Sequence, residues 1–367
     1  MTKISKKLAI LAAAVMAAAP LCAQVTGGQS AFSYLELSGH PHVAALGGII
    51  PAGPLDDAGF VLQNPALLNP EMHNQLALNY NLYYASIGIA NLQYAYHVAP
   101  LKTDFGLGIQ YLNYGQFQGA DIYGNNIGDV HAADYSVNLS ASRQYLEHWR
   151  YGATLKLAHS KLADKQSMAV LADVGVVYND TASLWTFGVV AKNMGVVLKK
   201  YTPGLPQEPL PFDLQVGVSK QLRNVPLKIY VAGHHLYEWD IRYDNPADVK
   251  SQTIFGSDDT TSGNKSYFVD KLFRHINVGA ELLIAKRLTI SVGYNHLNRG
   301  ELSTDEQKGL AGFSFGGAVN LNKFRVYYTR SYLATAGAFN QVGLSLQLNK
   351  FFGIGSKTGP WGWNRQY

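Results

Sequence analysis

The chain has 367 residues, of which 15% are charged, 12% are aromatic and 36 are glycine. So low a charge with so many aromatics excludes a disordered chain. No apolar run after residue 23 reaches the 18 residues a spanning helix needs, and what remains is a large β-rich protein, a sandwich or a membrane barrel.

Lys3, Lys6 and Lys7 precede an apolar stretch from Leu8 to Leu21, closed by Leu21-Cys22-Ala23-Gln24. This pattern predicts a secretory signal peptide over residues 1–23, cut after Ala23. Acylation of Cys22 is the alternative, disfavoured because Leu21 stands where such sites want a small residue. Cleavage after Ala23 leaves no cysteine, hence no disulfide, thiol chemistry or cysteine metal site. Three of the 30 Lys+Arg and none of the 25 Asp+Glu lie in residues 1–23, leaving 27 against 25, a net charge of +2. No basic stripe suggests nucleic acid as a partner.

Residues 24–73 form a Gly-, Pro- and Leu-rich segment without strand periodicity, expected to fold into a lumen as a plug or hatch. From residue 74 the pattern changes to period two, the mark of strands with unlike faces. Leu76, Leu78, Tyr80, Leu82 and Tyr84 alternate with Ala77, Asn79, Asn81 and Tyr83; Leu288, Ile290, Val292 and Tyr294 oppose Thr289, Ser291, Gly293 and Asn295; Val342, Leu344, Leu346 and Leu348 oppose Gly343, Ser345 and Gln347. Such segments fall at 74–84, 87–98, 103–114, 130–146, 149–162, 166–178, 183–194, 209–222, 225–236, 273–285, 286–297, 307–321, 322–334 and 337–349. Fourteen spans of this length suit tilted strands crossing a bilayer.

The second face reads as Gly, Ser, Thr, Asn and Gln with few charges, whereas the outside of a soluble sandwich would be rich in Lys and Glu. A charge on the lipid side would cost about 2–4 kcal/mol at mid-bilayer, and the apolar parities above contain none. Strands in lipid must also close, since an open edge leaves backbone groups unpaired in hydrocarbon. The expectation is an all-β, fourteen-stranded antiparallel transmembrane barrel over 74–349. Its long connections, 115–129, 195–208, 237–272 and 298–306, all follow odd-numbered strands, and those after even-numbered strands are brief, matching the long-outside, short-periplasmic asymmetry of outer-membrane barrels. The tail 350–367 is expected on the periplasmic side, with Phe351 and Phe352 in the place of a terminal-strand aromatic and Trp361 and Trp363 beyond.

The stretch Gln63-Asn64-Pro65-Ala66-Leu67-Leu68-Asn69-Pro70 ahead of the first strand resembles the Asn-Pro-Ala motif of the FadL-like barrels, which also have fourteen strands and an N-terminal hatch. Together with Phe32-Ser33-Tyr34-Leu35-Glu36-Leu37, Val43-Ala44-Ala45-Leu46-Gly47-Gly48 and Asn69-Pro70-Glu71-Met72-His73, the chain resembles the PorV/PorQ family of the type IX secretion system of Bacteroidetes. The resemblance is most specific over residues 27–84. It implies an outer-membrane subunit of the attachment complex, which removes the C-terminal signal of cargo proteins and couples them to lipopolysaccharide. The implied partners are a PorZ-like soluble subunit held at the surface, a PorU-like signal peptidase and a PorV-like barrel. It implies no catalytic residue and no cofactor; the motif residues are Asn64, Pro65 and Ala66.

Other clusters are weaker. His40-x-His42 and His234-His235 lack a third ligand at zinc-like spacing; the latter two, adjacent near a strand end, should point to opposite faces, and interfacial or loop histidines are the simpler reading. Asp56-Asp57 and Asp258-Asp259 admit calcium, though solvated turns explain them better. No G-x-S-x-G motif supports a hydrolase, and the Tyr and Trp excess suits girdles at the two bilayer interfaces. The 237–272 connection carries Tyr237, Trp239, Tyr243, Phe255, Tyr267 and Phe268 with Asp240, Asp244 and Asp248, making it either a docking surface or a lid over the mouth. The rival function is FadL-like transport of small hydrophobic solutes, to which Gly-rich inward faces could lend a kink. A diffusion porin would want charged lumen rings.

Overall fold

In the computed structural model, residues 30–83, 87–120, 123, 125–204, 206, 208–241, 268–285, 287–301, 309–334 and 337–352 are described. The signal peptide and Trp361 and Trp363 lie outside them. Fourteen strands run β1 (Gln75–Leu82), β2 (Gly88–Val98), β3 (Thr103–Ala120), β4 (Asn126–Tyr145), β5 (Trp149–Leu162), β6 (Lys165–Asp180), β7 (Trp185–Lys199), β8 (Asp213–Gln221), β9 (Leu227–Gly233), β10 (Ile276–Ile284), β11 (Leu288–Asn295), β12 (Phe313–Asn320), β13 (Phe324–Ala334) and β14 (Gly337–Gln347). Each pairs antiparallel with its sequence neighbours, and β1 pairs with β14 from Gln75↔Gln347 to Leu82↔Asn340, closing the barrel.

Burial is inverted relative to a soluble protein. Along β1, Gln75, Ala77, Asn79 and Asn81 are buried, while Leu78, Tyr80 and Leu82 are exposed. The same holds at Leu155 and Leu157 of β5, Val174 and Val176 of β6, and Ile290 and Val292 of β11. An apolar outer band facing water would be a severe liability; facing hydrocarbon it is what drives insertion. Aromatic contacts mark the edges of this band. At the short-turn end Trp149 meets Tyr178 at 5.0 Å between ring centroids and Trp185 stacks on Phe187 at 5.7 Å; at the other end Tyr135 stacks on His159 at 4.6 Å and Tyr294 meets Phe313 at 4.8 Å.

Two expectations are corrected. The stretch 115–129 is no long connection: past a register shift between Asn113 and Gln116 the β3–β4 hairpin keeps pairing to Ala120↔Asn126. The polar residues of this extension obscured its periodicity. Long connections therefore follow β7, β9 and β11, and the last two contain short helices, Phe268–Arg274 and His296–Glu301. The C-terminal aromatics Phe351 and Phe352 are also not in a strand. β14 ends at Gln347, and both lie on the helix Leu348–Phe352.

Candidate functional site: the lumen and the segment inside it

Residues 30–74 contain one helical turn, α1 (Pro41–Ala45), and four 3-10 turns. Four of these five turns start from a polar side chain that accepts a backbone N–H two residues on: His40 from His42, Asp57 from Gly59, Asn64 from Ala66, and Asn69 from Glu71. In three of them proline follows the cap at once, where its missing N–H costs nothing. This explains the Asn-Pro pairs locally. After α1, Gly47 and Gly48 take φ of 96° and 95° and donate to the carbonyls of Ala44 and Val43, ending the helix.

So irregular a backbone has many groups that no neighbouring strand can satisfy, and in a buried setting each must find a partner. The polar face of the barrel supplies them. Asn277 Nδ2 donates to the carbonyls of Leu46 and Ile49 at 3.1 and 2.8 Å, Thr329 Oγ1 to Pro41 at 2.7 Å, Asn81 Nδ2 to Ser38 at 3.0 Å and Gln75 Nε2 to Asp56 at 3.1 Å. Arg150 donates through Nε and Nη2 to the Leu68 carbonyl at 3.1 and 2.7 Å and is also hydrogen-bonded to Asp104. The inward residues thus form the wall of a packed interior around Val43, Leu46, Phe60, Leu67 and Met72.

The inward glycines have the same explanation. A Cβ on Gly152 of β5 would lie 2.6 Å from the carbonyl carbon of Pro65, one on Gly188 of β7 2.2 Å from Pro51 O, and one on Gly293 of β11 2.2 Å from Gly47 N. On Gly175 of β6 it would lie 2.0 Å from Asn64 Oδ1. These glycines admit the segment's backbone against the wall. The Asn64-Pro65-Ala66 motif sits in this cradle, with Asn64 Nδ2 donating to Pro51 O at 3.0 Å.

The acids and histidines of the segment converge on the opposite wall. His42 Nε2 lies 2.8 Å from Glu281 Oε2 and Nδ1 lies 3.4 Å from Asp57 Oδ2. Tyr230 Oη donates to Glu281 Oε1 and Tyr327 Oη to Asp57 Oδ2, both at 2.6 Å; Arg325 Nη2 donates to Asp56 Oδ2 at 2.8 Å. Asp56 and Asp57 are buried, so they are not a solvated turn, and His40 and His42 are buried rather than loop histidines. The inner face likewise holds more charge than its sequence suggests, with Asp104, Arg150, Lys156, Asp173, Lys192, Glu281 and Arg325 all buried. Their scattering, one or two per strand, hid a network that only closure assembles.

Burial alone would depress His42, but its hydrogen bonds to Asp57 and Glu281 outweigh it and raise the pKa to about 9. Burial dominates at His40, lowering it to about 4 against the pull of Asp57. Asp57, despite burial, is held below the usual carboxylate range by His40, His42 and Arg325. Undocked histidines titrate near 6.5. Between about 4 and 6.5 the undocked segment therefore binds the extra proton at His40, and docking strengthens as pH rises. Between 6.5 and about 9 the docked segment holds the extra proton at His42, and docking weakens as pH rises. Protection of the segment from chymotrypsin is expected to peak near pH 6.5 and fall on both sides. A monotonic profile would exclude this pairing of opposed histidines.

His234 and His235 do not point to opposite faces. β9 ends at Gly233, and His235 takes a left-handed φ of 52°, turning its ring back so that the two Nδ1 atoms lie 2.7 Å apart beside Asp213. Of the aromatics expected at a docking loop, Tyr237 is half-buried against Phe212 at 5.0 Å and Trp239 is 48% exposed, stacked on His275 at 5.9 Å. Phe268 begins the loop's helix, while Tyr243, Phe255, Tyr267, Asp244, Asp248, Asp258 and Asp259 lie outside the described residues. Asp240 pairs with Lys271 of that helix at 2.6 Å, tying the loop's two ends.

A vestibule of about 640 Å³ opens at the short-turn end, lined among others by Asp56, Asn69, Glu71, Arg150 and Lys228. Deeper in, a chamber of about 20 Å³, room for about one water, lies among Asn79, Asn91, Gln93, Asn138 and Lys192. Both linings mix charged and amide side chains with apolar ones, Leu55 and Leu184 in the vestibule and Leu35, Leu37 and Val43 in the chamber.

No protein-family model and no curated protein matches the sequence. Among solved structures, the Pseudomonas putida toluene transporter TodX superposes with a TM-score of 0.50 at 12% identity, covering 84% of this chain and 97% of that one. A deltaS2 mutant of TodX, described as a monoaromatic hydrocarbon channel, gives 0.50 at 13% identity over 84% and 98%. At that identity the likeness concerns the fold alone, and with the strand count and closure it establishes that this chain has the FadL-like fourteen-stranded outer-membrane barrel fold.

Proposed function

We propose that the chain is a PorQ-type anchor: an outer-membrane barrel of the type IX secretion attachment complex that holds a PorZ-like soluble subunit at the cell surface, beside the PorU-like signal peptidase and PorV-like barrel. One observation carries the preference for an anchor over a conduit. The lumen is filled by a segment tied to the wall by buried ion pairs and side-chain-to-backbone hydrogen bonds, and the vestibule and the inner chamber carry charged and amide side chains among their apolar ones. An apolar solute passing there would have to strand those polar groups, at about 1–3 kcal/mol for each lost partner. The segment then acts as a plug, and the long loops at the opposite end from the vestibule are the surface offered to the partner.

The rival reading, transport of small hydrophobic solutes, draws on the fold of the TodX structures. A mild-detergent pull-down of the tagged barrel from its own outer membrane, with mass spectrometry, separates the two. The anchor predicts a stoichiometric soluble subunit with the peptidase and its barrel. A barrel recovered alone with a bound fatty acid or other apolar ligand would refute the anchor and favour transport.

A further inference from the structure

Asp213 opens β8, and His234 and His235 follow β9 directly; the pairing Val216↔Gly233 brings these ends together. The backbone N–H of His235 donates to Asp213 Oδ1 at 2.6 Å, fixing the turn on the carboxylate, while Gln215 Nε2 donates to Oδ2 at 2.6 Å and leaves that oxygen a second lone pair. Oδ2 stands 3.9 Å from His235 Nδ1, which is 2.7 Å from His234 Nδ1. One ligand atom from each of the three residues lies within 4.8 Å of the other two.

We propose that Asp213, His234 and His235 form a site for one borderline divalent cation, Zn²⁺ or Cu²⁺, at the root of the connection between β9 and β10. Two imidazole nitrogens and one carboxylate oxygen are the donor set these ions favour, with the remaining position left to water. Bonds of about 2.0–2.1 Å to a tetrahedral centre place ligand atoms about 3.3 Å apart. The observed 2.7 and 3.9 Å bracket that spacing, so shifts of about half an ångström bring those two pairs to it, and the third pair starts within 4.8 Å. Coordination through Nδ1 also leaves the Nε2 of His235 3.8 Å from the Glu36 carboxylate, a charge placed on the side away from the ion. Nearby, the His275 ring nitrogens lie 2.8 Å from the His234 carbonyl and 3.3 Å from the Trp239 carbonyl, so the ion would bind where the two ends of the connection already meet.

The test uses the full barrel extracted in mild detergent and carrying a tag without histidine. Equilibrium dialysis against Zn²⁺ alone should show one bound ion per chain, with affinity at least tenfold lower in His235→Gln and in Asp213→Asn and unchanged in His148→Gln at the short-turn end. Cu²⁺ alone, at one equivalent on the unsubstituted chain, should give a spin-resonance spectrum with couplings from two nitrogens, a readout independent of how any variant folds. Equal Zn²⁺ binding by the unsubstituted chain and His235→Gln, or a spectrum without the two-nitrogen pattern, would overturn the site and leave a direct hydrogen bond between the two rings.

Discussion

A barrel carrying both Gly152→Val and Gly293→Val is expected to lose its docked segment and conduct ions. On β5 the new Cβ meets the Pro65 carbonyl carbon at 2.6 Å, and on β11 it meets Gly47 N at 2.2 Å. Both obstacles are backbone, which cannot swing aside as a long side chain would. Overpacking costs about 1–3 kcal/mol at each position, and sites on opposite walls add, for about 2–6 kcal/mol in total. The strands themselves should close as before, because both substitutions keep β-branched residues in a sheet. Planar-bilayer conductance should rise from near zero to that of an open pore, and chymotrypsin should cut near Phe32, Tyr34 and Phe60. The lipid-facing Ala153→Val, one position from Gly152 on the other face, should change neither. If the double variant stays closed and protected, the segment does not lie against these glycines.

Arg325→Met should destabilise the docked segment by about 3–5 kcal/mol, the usual cost of removing one partner of a buried ion pair. Arg325 is 2% exposed and faces Asp56 at 2.8 Å and Asp57 at 3.9 Å, so its loss leaves carboxylates buried without their guanidinium. Asp57 retains His42, Tyr327 and the Gly59 N–H; Asp56 loses its ion-pair partner. Adding Asp56→Asn to Arg325→Met should therefore recover at least half of the loss. Equilibrium denaturation in detergent, followed by the heat-dependent gel shift and by chymotrypsin protection, reads both. A single-variant cost below about 1 kcal/mol would place the pair in the hydrated regime of surface salt bridges and refute a dry latch.

The strands were legible because a bilayer imposes one rule on every outward position. Leu76, Leu78, Tyr80 and Leu82 could be assigned to lipid from alternation alone, and β5 matches its expected bounds, Trp149–Leu162, at both ends. Alternation weakened where that rule lapses, in the β3–β4 extension beyond Asn113, and there the expected long connection proved to be a paired hairpin. The Asn-Pro-Ala run was visible as a motif, but its glycine seats, Gly152 and Gly175, lie on strands far along the chain.

The sequence by itself determined the architecture: an apolar face every second residue, fourteen times over, with turns short on one side. A sheet edge in hydrocarbon costs too much for the chain to do anything but close. Only the tertiary structure decided what closure encloses. His42 meets Glu281 across 239 positions of chain and Arg325 meets Asp56 across 269, and no local period records such pairs. Even the neighbours His234 and His235 were misassigned, because one left-handed residue past a strand end overrides the alternation that placed them apart. Periodicity reports the solvent each face meets; the partners inside depend on which distant residues the closed wall brings together.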